Sequence, residues 1–228
     1  LSHIFSDIID LEKIDARRIE LNRKETDLYA LLNDISNFAV LIAGEKHLEF
    51  RLICPPTLPN WLMLDGVRLS QILWNLITNA VKFTPQGSVT LSIEQTAEDE
   101  FAIRVTDTGI GIAEADLEKV FELYYQVDSH HYKSLGSGIG LSISKTIAQL
   151  MEGDLTVSSE LGKGSTFLLT FKAKEAQQPV ESGNKVPLKL RILLVEDIEV
   201  NIVVAKSMLQ KLGYQIDVAM TGLKAKLQ

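Results

Sequence analysis

Three short motifs in this chain combine amide, carboxylate and glycine residues at spacings that suit nucleotide binding. In chain order they are Asn75-Leu-Ile-Thr-Asn79-Ala-Val-Lys82-Phe83, Asp107-Thr-Gly109-Ile-Gly111 and Gly136-Ser-Gly138-Ile-Gly140-Leu. A carboxylate such as Asp107 can accept a hydrogen bond from the amino group of adenine. Glycines let backbone N–H groups come close to phosphate oxygens, because no Cβ stands in the way. Each motif alone is a weak signal, but the three in sequence predict an ATP pocket.

The hydrophobic pattern predicts the elements that position these motifs. Apolar residues at helical spacing from Val67 to Ala80 predict a helix, with Asn75, Asn79 and Lys82 on one adjoining side because they lie four and three residues apart. Alternation from 101 to 105 predicts a strand that ends at Asp107. A helix over 138–151 begins inside the third motif, so its first N–H groups and its dipole would face phosphate. Residues 109–137 predict a mostly irregular segment with one short helix at 113–121, a length typical of a lid.

The remaining segments predict a larger α/β domain, a linker and the beginning of a second domain. Residues 1–16 carry an apolar helical stripe, and the polar segment at 174–188 contains two prolines, as linkers do. After it, a buried-strand pattern at 192–195, a helical pattern and a strand pattern at 215–219 predict a βαβ unit. The other predicted elements are a strand at 17–21, a helix from an Asp27 N-cap to Ala43, strands at 48–53, 61–64, 87–94, 155–159 and 165–171, and a hairpin turn at Gly162-Lys-Gly164.

Composition narrows the possible partners. The net charge of −7 disfavours a nucleic-acid surface, which normally carries a basic excess, and 46% hydrophobic residues indicate a packed core. The one cysteine, Cys54, fits a reducing compartment. No apolar run is long enough to span a bilayer, and no signal peptide is present. The chain begins with Leu1, so we expect it to be part of a longer cytoplasmic protein that meets a membrane only through segments outside this chain.

The order and spacing of the motifs resemble the ATP-binding fold shared by sensor histidine kinases, gyrase-type ATPases and MutL. The resemblance implies an α/β sandwich, in which helices back a mixed sheet. It also implies that Asn79 binds the Mg²⁺ that bridges the phosphates, that Lys82 contacts the phosphates and that Phe83 lies near the nucleotide. Phe121 resembles a packing aromatic of the lid, and Gly162-Lys-Gly164-Ser-Thr166 resembles a last short motif, although a plain hairpin is an alternative there. The remaining residues expected to bind ATP are Asp107, Gly109, Gly111, Gly136, Gly138, Gly140 and Thr166.

Position 75 separates two branches of this fold. Gyrase-type ATPases carry a glutamate four residues before the magnesium asparagine, where it acts as a general base for water. Here the position is Asn75, which cannot accept a proton at neutral pH, so the sequence favours phosphoryl transfer with Asn75, Asn79 and Lys82 as the catalytic set. Two alternatives stay open: a hydrolytic ATPase, and an ATP-binding regulatory module without transfer activity.

The chain up to about Gly222 resembles a hybrid sensor histidine kinase of a two-component system, and most of all the Arc-type subgroup, whereas residues 223–228 depart from the expected pattern. Glu196-Asp197 follows a buried strand and resembles the acidic Mg²⁺-binding pair of a flavodoxin-like receiver domain, here lacking its phosphoacceptor aspartate. His3 is followed by Ile4-Phe5-Ser6 rather than by the acidic residue of an acceptor box, so we expect the acceptor histidine outside this chain. The implied partners are the protein's own dimerisation histidine domain in a homodimer, receiver and histidine-phosphotransfer domains, and a cognate response regulator. The predicted boundaries are 1–16 for the end of a helical hairpin, 17–174 for the catalytic domain, 175–189 for the linker and 190–228 for the truncated receiver.

Overall fold

A computed structural model describes residues 20–126, 138–179, 191–195 and 215–219 of the chain. The chain divides after Pro179 into two compact units. The described strands are β1 (Lys24–Asp27), β2 (Glu49–Ile53), β3 (Trp61–Leu64), β4 (Ser88–Ala97), β5 (Glu100–Asp107), β6 (Asp154–Glu160), β7 (Gly164–Lys172), β8 (Lys174–Glu175), β9 (Arg191–Val195) and β10 (Gln215–Ala219). The described helices are α1 (Leu28–Glu45), α2 (Gly66–Phe83) and α3 (Gly140–Leu150).

A five-stranded mixed sheet forms the centre of the first unit. Its strand order is β2-β4-β5-β7-β6, in which β2 and β4 are parallel and the other neighbours are antiparallel. Side chains of β4, β5 and β7 alternate, so that Val89, Leu91, Ile103, Val105 and Leu169 are buried. A second, antiparallel sheet has the order β1-β3-β8. The predicted sandwich of a mixed sheet and helices is confirmed.

The helices form one hydrophobic core with the sheet. The Asp27 side chain caps α1 by accepting from the Ala30 N–H at 2.9 Å, and Asp65 caps α2 by accepting from the Arg68 N–H at 3.0 Å. The apolar face of α2 is completely covered, through Leu69, Ile72, Leu73, Leu76 and Ile77. Because α2 is anchored along its whole length, the polar residues on its other side are held at fixed positions.

The register of β5 places the predicted nucleotide carboxylate at the end of the sheet. Asp107, the last residue of β5, lies opposite Val89 of β4 and Ser165 of β7. Thr106 lies opposite Thr166, and their Oγ1 atoms are 3.1 Å apart in a hydrogen bond. The prediction that a strand would end at Asp107 is confirmed.

Two predicted elements differ from the structure. Residues 20–23 are not a strand. The backbone there is not paired with another described strand, and the Asn22 N–H instead donates to the side chain of Asp65, to Oδ2 at 2.9 Å. Among the described residues, the first strand is β1. The predicted short helix at 113–121 is two 3-10 turns, Glu114–Asp116 and Lys119–Phe121, since hydrogen bonds there span three residues, as from the Glu122 N–H to the Lys119 carbonyl.

Other boundaries shift by a few residues. Helix α3 begins at Gly140 because Gly138 has a φ of +70°, which is incompatible with a right-handed helix. Glu175, where the linker is predicted to begin, pairs in β8 with Leu62 of β3.

The second unit contributes two described strands. β9 and β10 are parallel, with Ile192 paired to Ile216. They coincide with the strands predicted at 192–195 and 215–219, whereas Glu196 and Asp197 lie outside the described residues. Within the described part of the chain, no helix has the length and apolar character needed to cross a membrane.

Candidate nucleotide-binding site

Helix α2 contacts both of the other motifs. At its C-terminal end, the Ile110 N–H of the second motif donates to the Phe83 carbonyl at 3.1 Å. In its middle, Asn75 lies against Gly140, where an added Cβ would come within 2.5 Å of Asn75 Oδ1. The close approach of α3 to α2 therefore requires a glycine at position 140. The first and second motifs and the described part of the third meet along one helix.

Asp107 is a buried carboxylate in a fixed orientation. Only 6% of the residue is exposed, and its Oδ1 accepts a hydrogen bond from the Gly109 N–H at 2.8 Å. Burial raises the pKa of Asp107 above its ordinary value, and hydrogen bonds from the Gly109 and Ser165 backbone partly offset that rise. The Asp107 carboxyl group is therefore a poorly solvated acceptor, and a hydrogen bond to it is strong.

The glycine loop after Asp107 packs against the β6–β7 hairpin. Gly111 has a φ of +70°, and a Cβ there would collide with the Glu160 carbonyl oxygen. The Gly162 N–H donates to the Ile110 carbonyl at 2.7 Å. The hairpin thus fixes the loop, and the Gly109 N–H is already engaged by Asp107 rather than open to a ligand.

A chain of side-chain hydrogen bonds connects α2 to α3. Asn79 Nδ2 donates to Asn75 Oδ1 at 3.3 Å, and Asn75 Nδ2 donates to Ser144 Oγ at 2.9 Å. The spacing of four residues does bring the two asparagines to one side of the helix. The sequence motifs do not include Ser144. Its only sequence signal is that a polar residue occupies a position on the apolar face of the predicted helix.

Lys82 lies beside Phe83, with its Nζ 4.6 Å from the ring centroid. Burial, and secondarily the nearby Lys46, lower the pKa of Lys82. Lys46 donates through Nζ to the carbonyls of Val81 and Lys82, both at 2.9 Å, so it binds the C-terminal end of α2. Sequence reasoning missed Lys46 because no local pattern connects a residue after α1 to the end of α2.

The N-terminus of α3 differs from those of the other two helices. Its N-cap residue, Ile139, provides no side-chain hydrogen bond, whereas Asp27 and Asp65 cap the others. N–H groups at an uncapped helix start favour an anion, and the helix dipole adds to that preference. Just before it, the Gly138 carbonyl accepts from the Tyr124 N–H at 3.0 Å. Gly136 lies outside the described residues.

Phe121 and Thr166 lie on the sheet side of the site. The Phe121 ring meets Phe167 edge-on, with centroids 6.4 Å apart, and Lys145 Nζ of α3 lies 4.6 Å from the Phe121 centroid. Phe121 therefore packs the beginning of the predicted lid onto β7 and α3. Thr166 bonds to Thr106 across two strands, as noted above, and remains partly exposed.

Asn79 has the chemistry of a Mg²⁺ ligand. Its Nδ2 is used in the bond to Asn75, while no hydrogen bond within the described residues engages its Oδ1. Mg²⁺ binds oxygen ligands and takes only one or two from the protein when it is bound together with phosphates. The residues present therefore fit a magnesium–nucleotide complex.

Comparison with known proteins agrees with this geometry. Residues 64–175 match the family described as histidine kinase-, DNA gyrase B- and HSP90-like ATPases. The aerobic respiration control sensor protein ArcB of Escherichia coli is 48% identical over the whole of this chain and 30% of its own length. The ArcB homolog of Haemophilus influenzae is 62% identical over 66% of this chain and 46% of its own length. The autoinducer 2 sensor kinase/phosphatase LuxQ of Vibrio vulnificus is 37% identical over 97% of this chain and 27% of its own length.

Solved structures show the same fold. Full-length ShkA in complex with AMPPNP is 27% identical, with a TM-score of 0.69, over 99% of this chain and 47% of that chain. The catalytic domain of histidine kinase ThkA is 22% identical, with a TM-score of 0.57, over 68% of this chain and 96% of that chain.

The chain spans less than half the length of each of these three sensor proteins. Its similarity to the Escherichia coli protein nevertheless extends over all 228 residues. Residues 64–175 therefore carry the domain of the histidine kinase-, DNA gyrase B- and HSP90-like ATPase family, and the chain as a whole is similar to sensor proteins of this kind.

Proposed function

We propose that this chain is the ATP-binding catalytic portion of a hybrid sensor histidine kinase, which transfers the γ-phosphoryl group of Mg-ATP to a histidine of a dimerisation domain. Helix α2 carries the two asparagines and contacts both the loop after Asp107 and the start of α3, and this arrangement carries the proposal. ShkA, a structural neighbour, is solved in complex with AMPPNP, which is an ATP analogue, and this supports the nucleotide assignment.

In this proposal each group binds a different part of the nucleotide. Asp107 accepts a hydrogen bond from the adenine amino group, and the first N–H groups of α3 with Lys82 bind phosphate oxygens. Phe83, Gly109, Gly111, Gly138, Gly140 and Thr166 shape the pocket around them. Asn79 Oδ1 holds Mg²⁺, which neutralises charge that develops on the phosphates. Catalysis is then mainly positioning and charge stabilisation.

Asn75 favours transfer over hydrolysis. Its Nδ2 donates to Ser144 and its Oδ1 accepts from Asn79, so both ends of the amide are engaged. An amide is no base at neutral pH, so Asn75 cannot take a proton from a water molecule. The attacking group is therefore supplied by a separate acceptor, the imidazole of the dimerisation domain.

The second unit fits a receiver domain. Its parallel strands β9 and β10 are compatible with the flavodoxin-like beginning of such a domain, and Glu196 with Asp197 would bind its Mg²⁺. We also propose that the protein forms a homodimer and relays phosphate to receiver and histidine-phosphotransfer domains and to a response regulator. Its proposed location is the cytoplasmic part of a membrane-anchored sensor.

The direct test is transfer of labelled γ-phosphate from ATP to an added helical-hairpin domain that carries the acceptor histidine. We expect label on the hairpin that is labile in acid and stable in alkali, as phosphohistidine is. Asn79→Ala should abolish the label while the variant remains folded by circular dichroism. The matched control is Asp34→Asn, a substitution at an exposed residue of α1, which should keep full transfer.

Two results would contradict the proposal, each in favour of one alternative. Accumulation of free phosphate without labelled hairpin would indicate a hydrolytic ATPase. ATP binding with neither transfer nor hydrolysis would indicate a regulatory module.

A further inference from the structure

Ser144 is a buried hydroxyl that the proposed catalytic set does not include. It lies in the second turn of α3, only 2% exposed, between the apolar neighbours Ile143 and Ile147 of the core. Its Oγ accepts the hydrogen bond from Asn75 Nδ2 at 2.9 Å. Buried polar side chains are usually hydrogen-bonded, and the partner of this one lies on a second helix, so the bond links the two helices.

The hydrogen bonds in this chain of side chains have a direction. An amide has one donating end and one accepting end, so donation from Asn75 Nδ2 to Ser144 turns Asn75 Oδ1 toward Asn79. Asn79 then donates through Nδ2, and its oxygen is left as the end that can bind a cation. Asn75 also lies close to Gly140, where an added Cβ would be 2.5 Å from Asn75 Oδ1.

We propose that Ser144 is a positioning residue for magnesium: it anchors the Asn75 amide and, through it, supports the arrangement in which Asn79 Oδ1 faces the ion. This inference rests on the proposed function of the site. Without the hydroxyl, the Asn75 amide loses its partner on α3 and is free to turn Nδ2 toward Asn79, whose oxygen then accepts from it. Asn79 would present nitrogen, which has no lone pair for Mg²⁺.

The test is Ser144→Ala in the full chain, with ATP affinity measured by calorimetry at saturating Mg²⁺ and again in EDTA. Partners that orient a metal ligand typically change metal affinity by tenfold or more when they are removed. We therefore expect the Kd for Mg-ATP to rise about tenfold. The Kd in EDTA should stay within about twofold, since the direct nucleotide contacts are intact.

Two further variants separate positioning from general packing. Ser144→Cys keeps the shape of the side chain with a weaker acceptor, so it should show an intermediate effect even if the alanine variant folds poorly. In an Asn75→Ala background, Ser144→Ala should have no further effect on the Mg²⁺ dependence, because Ser144 acts through Asn75. Thr146→Ala is the matched control, since Thr146 Oγ1 donates to the Ser142 carbonyl within α3, and it should leave both affinities unchanged.

The outcomes distinguish this inference from the proposed function. If the wild-type chain binds no ATP, the proposed function fails and the role of Ser144 fails with it. If the wild-type chain binds ATP with Mg²⁺ dependence, two results would overturn the role of Ser144 alone. One is that Ser144→Ala changes both affinities equally or neither, and the other is that its full effect persists without Asn75.

Discussion

Asp107 combines burial with backbone hydrogen bonds, and the two act on its pKa in opposite directions. Burial is the larger effect, so the native pKa lies above the ordinary value. A carboxyl group whose pKa is raised by folding contributes stability below its unfolded pKa, and that contribution is lost as the pH rises through the native pKa. Once ionised, Asp107 therefore makes the unliganded protein less stable than a neutral group of the same shape would.

Asp107→Asn should separate nucleotide binding from stability. We expect ATP affinity to fall tenfold or more, since a hydrogen bond to a charged group contributes about 1.5–3 kcal/mol. The free energy of unfolding of the variant, relative to wild type, should increase from about pH 4 to pH 7, because only the wild type loses the contribution of a neutral Asp107. Calorimetry and urea unfolding across that pH range measure the two effects.

The exposed Asp34 of α1 provides the matched control for this substitution. Asp34→Asn should leave ATP affinity unchanged. Unchanged ATP affinity in Asp107→Asn would contradict the adenine assignment. A relative stability that falls toward pH 7 would contradict a raised pKa.

At this scale the sequence predicts residue types better than their contacts. It predicts Asp107 at the end of a strand and the two asparagines on one helix side, because both follow from the periods of strand and helix. It cannot predict that the Gly109 N–H is taken by Asp107, nor that Lys46 binds the end of α2, since these contacts depend on how distant segments pack. Ser144 is missed for the same reason.

At the scale of elements, helix α2 is held by a cap that has two functions. Asp65 Oδ1 accepts from the Arg68 N–H and Oδ2 accepts from the Asn22 N–H, and the residue is buried. Asp27 caps α1 with one bond and is partly exposed. The N-terminus of the helix that carries the asparagines is thus tied to the segment that precedes β1.

Asp65→Ala should lower stability more than Asp27→Ala does. A lost N-cap costs about 1 kcal/mol, and the loss of the hydrogen bond from the Asn22 N–H adds about 1 kcal/mol more. We therefore expect a loss of about 2 kcal/mol for Asp65→Ala and about 1 kcal/mol for Asp27→Ala. Urea unfolding at constant m-value measures both, and equal losses would show that the second bond of Asp65 contributes nothing.

Element types were more predictable than their ends. Periodicity predicts α1, α2, the strands of the five-stranded sheet and, in the three-stranded sheet, β3 alone, and the residue type of Asp27 predicts a cap. The predicted strand at 17–21 was wrong over its described residues, because alternation alone does not supply a partner strand and Asn22 bonds to Asp65 instead. The predicted helix at 113–121 was wrong because tight turns and a short helix have similar patterns over nine residues.

At the scale of the whole molecule, the described nucleotide site belongs entirely to the first unit. Its residues lie between Asn75 and Thr166, and the unit ends at Pro179. The strand β8 closes this unit by pairing with β3, and the Ala176 N–H donates to the Trp61 carbonyl at 2.8 Å. The first unit therefore includes residues that composition alone assigned to a linker.

A chain that ends at Pro179 should keep ATP affinity within about twofold and its thermal midpoint within about 2 °C of the full chain. A chain that ends at Ala173 is the matched comparison, because it lacks β8 and the Ala176 hydrogen bond. We expect its midpoint to be lower by about 2–8 °C, the shift that a loss of about 1–2 kcal/mol produces in a domain of this size. If the longer truncation product lost ATP binding, the first unit would not be an independent domain.

The stacked rings of Phe38 and Trp74, with centroids 5.0 Å apart and planes 18° from parallel, join α1 to α2. Trp74 precedes Asn75 in the chain but lies on a different side of the helix from the two asparagines. Only one other indole, that of Trp61, is present in the sequence. Intrinsic fluorescence will therefore report on whether α1 and α2 remain together. The emission maximum should shift to the red when denaturant separates the two rings. It should change little when nucleotide binds.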